Sequence, residues 1–312
     1  QRSDVSTREE IKRELGLDRS LPAQYFQFIN DISPISIHLD IPQNREKYEY
    51  LKLLEYENER VFVLKRPYLR RSFQTNRRVD DMLIANMDDT FWLAFAAIFF
   101  ATSIGILLGI VAALYHSKPL DKLIIGFSVL GISVPSYVMA ILMALIFGYY
   151  LSDFTGLELT GQLWQTHPLY GRQLHLKNII LPALTLGFMP LAIITQLTRN
   201  SMIEVFSKDF VKAARAKGLS KFRIIVKHCL KNALNPVFTA ISGWMASLMA
   251  GAFFVEYIFD WKGIGYITIK AVQNLDLPVV MGSTILIAIA FVLINIFADV
   301  FYALLDPRVK LN

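Results

Sequence analysis

The residues that could carry covalent, acid–base or metal chemistry in this chain are scattered. His38, His116, His167, His175 and His228 form no HxxxH pair, and Cys229 is the single cysteine, so neither a metal site nor an intrachain disulfide is expected. No GxxxxGK(S/T), HExxH or GxSxG pattern occurs, which removes nucleotide hydrolysis and the familiar hydrolase sites from the expected activities. Gly263-Ile-Gly265 lacks the third glycine and the preceding strand of a dinucleotide fingerprint and reads as a turn. The dense set of polar groups is cationic: between Arg199 and Lys231 stand nine Lys/Arg against two acids. Such a cluster suits binding to anionic lipid, nucleic acid or another protein.

The basic island, Ser207 to Pro236, reads as two short helices. Ser207 is placed to cap the first, Gly218 to end it in the left-handed conformation, and Ser220 to cap the second. Ala213, Ala214 and Ala216 give the first helix little bulk, so another protein can approach its backbone closely. In the second, Phe222, Ile225, Val226, Cys229, Leu230 and Ala233 recur at spacings of three and four, predicting one apolar face, with Arg223, Lys227 and Lys231 on another. Cys229 is expected to pack there as a small apolar side chain.

The elements that hold the island are apolar. Hydrophobic residues make up 54% of the chain and are gathered in blocks long enough to cross a bilayer, for which ~20 residues suffice. Five spans are expected, at about 91–114, 123–151, 179–198, 237–255 and 279–305, so that residues 90–312 form an all-α polytopic membrane domain with the loop 199–236 between its third and fourth spans. Ala101, Gly105, Gly109 and Ala113 recur every four residues, as do Gly243, Ser247 and Gly251, and each stripe lets a neighbouring helix come close. Pro135 is expected to kink the second span, and Pro182 and Pro190 to leave carbonyls of the third without helical donors. The span centres hold no ionisable residue; Arg199, Glu256 and Asp299 sit near the ends, which argues against ion coupling. Energy for uphill transport would then arrive from another chain.

Residues 1–89 are polar, with fifteen basic and sixteen acidic side chains. Thr7–Glu10 suits a capping box, Ala23 to Ile29 a short helix, and about 31–66 a small folded insert without a firm period. Glu256 to Pro278 is expected to be an aqueous loop. Lys118 and Lys122, the island, and Arg308 with Lys310 fall on one side if the five spans alternate, and short basic loops face the cytosol. That arrangement puts residues 1–89 outside, so a sixth span is expected upstream of Gln1.

Phe210-Val-Lys-Ala-Ala-Arg-Ala-Lys-Gly-Leu-Ser220, with His228-Cys-Leu-Lys-Asn-Ala233, resembles the cytoplasmic loop of the dipeptide/oligopeptide class of ABC-importer permeases. Leu15–Tyr25, Arg71–Thr75, Leu181–Thr185, Glu256–Gly265, Asp276–Val280 and Asp306–Arg308 are similar to further segments of that class, in the same order. The resemblance implies a type I ABC-importer transmembrane domain of six spans in the bacterial cytoplasmic membrane, with the carboxyl terminus cytosolic. It implies a coupling helix, carried by Phe210, Lys212, Ala213, Ala214, Arg215, Lys217, Gly218 and Leu219, that docks on a separate ATPase. It further implies a second homologous permease, two ATP-binding subunits that hold ATP and Mg, and an extracytoplasmic solute-binding protein, with no cofactor on this chain. Lys212 stands at the wider motif's acidic position, Leu230-Lys231 replaces its closing Leu-Pro, and the 31–66 insert is longer than the class leads one to expect, which bears on outside partners and on substrate.

Two other readings use the same residues. Nine cations at roughly 1 kcal/mol each would hold the island on anionic lipid without a partner, and packed spans with few charges also describe a passive channel. A DNA-binding helix-turn-helix is the other basic two-helix reading, disfavoured because the spans on either side leave the island little freedom to enter a groove. Within the permease class, dipeptides, longer peptides, nickel chelates, glutathione and some sugars are all carried.

Overall fold

The computed structural model describes residues 18–56, 59–167 and 170–305. The Thr7–Glu10 capping box, the Asp306–Arg308 tail and Lys310 lie outside the described residues. The chain divides into two compact units, up to Met82 and from Leu83.

In the first unit, helix α1 (Leu21–Ile32) starts with Pro22 in its first turn, where the missing amide hydrogen costs nothing. The expected insert is a three-stranded antiparallel sheet: β1 (Ile35–Leu39), helix α2 (Pro42–Tyr48), β2 (Leu51–Tyr56) and β3 (Arg60–Leu64), with β3 central. Ile35 pairs with Leu64 and Leu39 with Arg60, and β2 carries a bulge between Lys52 and Leu54. Side chains in β1 alternate, yet the buried ones are Ser36 and His38. They are buried because polar partners meet them: the Ser36 hydroxyl lies 3.0 Å from His38 Nε2, whose ring stacks on Tyr48 at 4.1 Å. Asp31 is buried too, accepting from the Tyr48 hydroxyl at 2.7 Å, while Lys65 Nζ donates to the Asp31 carbonyl.

The second unit is helical apart from one hairpin. Helix α3 (Val79–Leu114) begins well before the expected span. Helix α4 (Pro119–Ser133) is stopped by Pro135, and α5 (Ser136–Met143) continues as a π-helix, Ala144–Tyr150. The expected kink is in fact a 107° bend. The hairpin β4 (Trp164–His167) and β5 (Gly171–Leu174) leads through a 3-10 turn, Leu176–Ile179, into α6 (Ile180–Ser207), which runs nine residues past the expected span and keeps Pro190 in its interior. The island follows as α7 (Asp209–Ala216) and α8, a helical run over 221–233 whose centre, Ile224–Leu230, is π-wound.

Helix α9 (Asn235–Gly251) is shorter than the expected span, because the chain breaks at Ala252 and turns into α10 (Phe253–Ile258). Helix α11 (Ile264–Gln273) and the apolar α12 (Leu277–Leu305) close the described chain. Val79–Leu114, Leu176–Ser207 and Leu277–Ala298 are each long and apolar enough to cross a membrane, and the bent pair supplies a fourth crossing if counted as one. At 17 residues, α9 stands at the short end of what crosses a membrane.

Two cores hold this unit. The larger joins α3, α5, α6, α9 and α10 around Leu93, Ala97, Ala101, Ile194, Phe259 and Trp261. The first small-residue stripe lies against α6: a Cβ added at Gly105 would stand 2.9 Å from Ile194 Cγ2, and one at Gly109 2.5 Å from Thr198 Cβ. Only glycine permits this approach. The second stripe differs, since Gly243 meets no atom within 4 Å of an added Cβ and Ser247 is exposed, so those two positions do not pack within this chain.

Candidate coupling surface

The island is built on the smaller core. Ala113 at the end of α3, Met202 and Val205 at the end of α6, Val211 and Ala214 of α7, and Ile224, Cys229 and Ala233 of α8 are buried together. Leu219 packs beside them. The island therefore sits on the ends of two long helices.

Its boundaries follow from backbone chemistry. Lys208 is extended (φ −69°, ψ 148°) and separates α6 from α7. Ser207 belongs to α6, where its hydroxyl donates back to the Glu204 carbonyl at 2.7 Å, so it does not cap α7 as expected. Gly218 has φ +74°, the left-handed position predicted for it, and Ser220 accepts from the Arg223 amide at 3.4 Å as the cap of α8.

Of the residues expected to face outward, Phe210, Lys212, Ala213, Arg215, Lys217 and Gly218 are exposed. Ala214 is turned into the core with Val211, which corrects its place on the docking face. Phe210, Ala213 and Lys217, spaced three and four apart, make the outer line of α7, with Phe222 of α8 exposed nearby in sequence. The predicted apolar face of α8 holds at Ile225, Cys229, Leu230 and Ala233, which pack on the small core, while Phe222 and Val226 face out and Ile224, five before Cys229, faces in. The π-wound centre accounts for this, because an i→i+5 repeat brings residues five apart onto one side. Burial pushes the Cys229 thiol above its usual range, so it is a packing group with no nucleophilic role.

Charge ties this end of the bundle together. Arg199 closes a two-pronged pair with the buried Asp121, Nε to Oδ1 at 2.6 Å and NH2 to Oδ2 at 2.8 Å, and its NH2 reaches His116 Nδ1 at 3.1 Å. The Tyr115–Lys122 loop and the root of the island are thus tied together at one end of α3 and α6. Arg215, Lys217, Lys221, Arg223, Lys227 and Lys231 have no carboxylate within 4 Å among the described residues and stay available to anionic groups.

At the other end of α3 lies a site that the sequence reading missed. Glu256, expected in an aqueous loop, is fully buried; it accepts from the Thr90 hydroxyl at 2.8 Å and from the Tyr266 amide at 3.0 Å. Thr90 in turn accepts from the Ile264 amide at 2.8 Å, and the Trp261 indole donates to the Asp89 carbonyl at 2.8 Å. Gly263 and Gly265 leave room for the carboxylate, since a Cβ on Gly263 would stand 2.5 Å from Glu256 Oε2. The signal was present in the glycine pair beside a lone acid and a tryptophan, but it carries no period. Among the described residues no cluster of three or more metal-ligating side chains occurs.

A short exposed helix with no catalytic group in it thus rests on the ends of two long apolar helices. The family model of the binding-protein-dependent transport system inner membrane component matches residues 105–311. The chain belongs to that family. This permease is 37% identical over 234 residues to the dipeptide transport system permease protein DppB of Bacillus subtilis strain 168, covering 75% of this chain and 71% of that one. It is 33% identical over 256 residues to the protein of the same name in Escherichia coli K12, covering 77% and 76%. A putative peptide permease protein of Brucella suis is 30% identical over 302 residues, 97% of this chain and 84% of that one. Among solved structures, the MetNI methionine ABC transporter in an inward-facing conformation matches with a TM-score of 0.59 at 17% identity, over 72% of this chain and 96% of that one. A bacterial ABC transporter for import of alginate matches at 0.56 and 13%, over 71% and 79%. The permease is therefore a transport subunit of a bacterial inner-membrane ABC importer with a type I importer fold, and the ATPase belongs to a separate chain.

Proposed function

We propose that the chain forms the translocation pathway of an ATP-driven importer for peptides and is coupled to its ATPase through α7. In this reading the island faces the cytosol and residues 1–89 lie outside. A second homologous permease, two ATP-binding subunits holding ATP and Mg, and an extracytoplasmic solute-binding protein complete the assembly. The peptide assignment is supported by its dipeptide-permease relatives, above all by 37% identity over 234 residues to the Bacillus subtilis protein.

The observation that carries the coupling role is the isolation of α7 between extended Lys208 and left-handed Gly218, with Phe210, Ala213 and Lys217 on its outer line. ATP-driven closure of the ATPase pair moves this helix, and the shared small core passes the motion to α3 and α6. The test is Gly218→Val in the reconstituted importer. An added Cβ there meets no atom within 4 Å, so the substitution acts through the strained φ alone. ATP-dependent uptake is expected to fall with Gly218→Val and to persist with Gly218→Asn, since asparagine tolerates the left-handed region. Full uptake by Gly218→Val would overturn the role. Downhill solute flux through vesicles holding this chain without an ATPase would instead establish a channel.

A further inference from the structure

A cavity of about 160 Å³ opens where three interrupted or small-faced elements meet. Gly131 and Ser136 flank the 107° break, Leu186 and Phe188 lie on α6 beside Pro190, and Trp244 and Ser247 come from α9. Proline has no amide hydrogen, so Pro135 and Pro190 withhold the helical donors that the Gly131 and Leu186 carbonyls would otherwise receive. Both residues line the cavity. The hydroxyls of Ser136 and Ser247 make no hydrogen bond among the described residues, and both residues are exposed. No ionisable side chain lines the cavity; the rest of its wall is aliphatic, ring and thioether groups, with the Thr185 hydroxyl donating back to the Leu181 carbonyl.

We propose that this cavity is a contact subsite for the translocated solute, receiving one uncharged residue of a short peptide; the proposal rests on the reading of the chain as a peptide-importing permease. The carbonyls and hydroxyls accept the peptide's N–H groups, and its side chain lies against Trp244 and Phe188. The volume is well below the ~300–1,000 Å³ of a site that encloses a whole small molecule, so it takes one residue. A charged side chain would shed its hydration here with no counter-charge, and is disfavoured.

The test is competitive uptake of Ala-Leu and Ala-Lys by the complete importer in vesicles, with its own binding protein and ATPase. The binding protein is identical in every preparation, so a changed ratio arises in the permease. Ser247→Asp places a carboxylate in the wall and is expected to shift the ratio about tenfold toward Ala-Lys, the scale of a single pocket contact. Ser136→Asp, across the cavity, is expected to shift it the same way. Uptake that continues with an unchanged ratio in both variants overturns the subsite while leaving the importer reading intact. Absence of ATP-dependent peptide uptake by the unsubstituted complex overturns the importer reading, and the subsite with it. Should neither aspartate variant assemble, Ser247→Cys decides: Cys229 is buried, so alkylation reports position 247, and Ala-Leu is expected to slow it. Alkylation unaffected by the peptide overturns the subsite.

Discussion

Thr90 and Glu256, 166 positions apart in sequence, meet in a 2.8 Å hydrogen bond that fastens the α10–α11 turn to α3. The threonine hydroxyl is used twice, since it also accepts from the Ile264 amide at 2.8 Å. Thr90→Val keeps the shape and removes both bonds, leaving a buried carboxylate oxygen and a buried amide short of partners. A loss of about 1–3 kcal/mol is expected, read as a lower unfolding midpoint of the purified permease in detergent. Thr90→Ser should restore most of it.

The two small-residue stripes are expected to respond differently. Gly109→Ala would place a methyl 2.7 Å from the Thr195 carbonyl and 2.5 Å from Thr198 Cβ, forcing α3 and α6 apart. Overpacking of this kind costs about 1–3 kcal/mol. Gly243→Ala meets nothing within 4 Å and should leave the isolated chain as stable as before or slightly more so, alanine being the better helix former. Thermal unfolding of the two variants side by side checks the pair.

Arg199→Gln strips the buried Asp121 carboxylate of its two-pronged partner. Breaking a fully buried pair costs about 3–5 kcal/mol; the lower end is expected here because 19% of the Arg199 side chain remains exposed. Adding Asp121→Asn should recover much of the loss, because the stranded charge is then gone. A double-mutant cycle on unfolding midpoints measures the difference, and additive effects would contradict the pairing.

The amino-terminal unit is expected to lose stability in mild acid. Burial, then the nearby Lys65 and Lys47, hold the His38 imidazole down at about 4, against 6.5 in an unfolded chain. Between those values the unfolded chain takes up a proton that the folded unit refuses, so stability present above about 6.5 is lost as pH falls toward 4. Limited proteolysis of the permease should cut the 49–60 region faster at pH 5 than at pH 7. His38→Gln should flatten that difference.

Blocks of apolar residues announced the helices, and glycine or alanine at every fourth place announced a close helix contact on α3, though not that α6 would make it. Gly218 and Ser220 were legible because each serves its own turn. What escaped depends on distant partners or on helix winding. The angle at Pro135 is set by what the two halves pack against, and the rotation of Phe222 and Val226 outward follows from π-winding that no α-helical period reveals. The sheet in 35–64 was hidden because its alternation is inverted, with Ile35, Ile37 and Leu39 exposed and Ser36 and His38 inside. Glu256 looked solvated for want of knowing that Thr90 would be beside it.

Helix α6 has the proportions of a lever. At about 1.5 Å per residue it is roughly 42 Å long, with Pro190 about 15 Å from its start and about 26 Å from Ser207. Its tightest clasp on α3 lies beyond that proline: a Cβ at Gly109 would stand 2.5 Å from Thr198 Cβ and 2.7 Å from the Thr195 carbonyl. Under the proposed coupling, a fulcrum at Thr198 leaves an arm of about 14 Å to Ser207 and about 27 Å to Ile180, so a displacement at the island is about doubled at the opposite tip, in the reverse sense. Such a device would trade force for distance: a small push at the basic end would become a larger movement at the far tip.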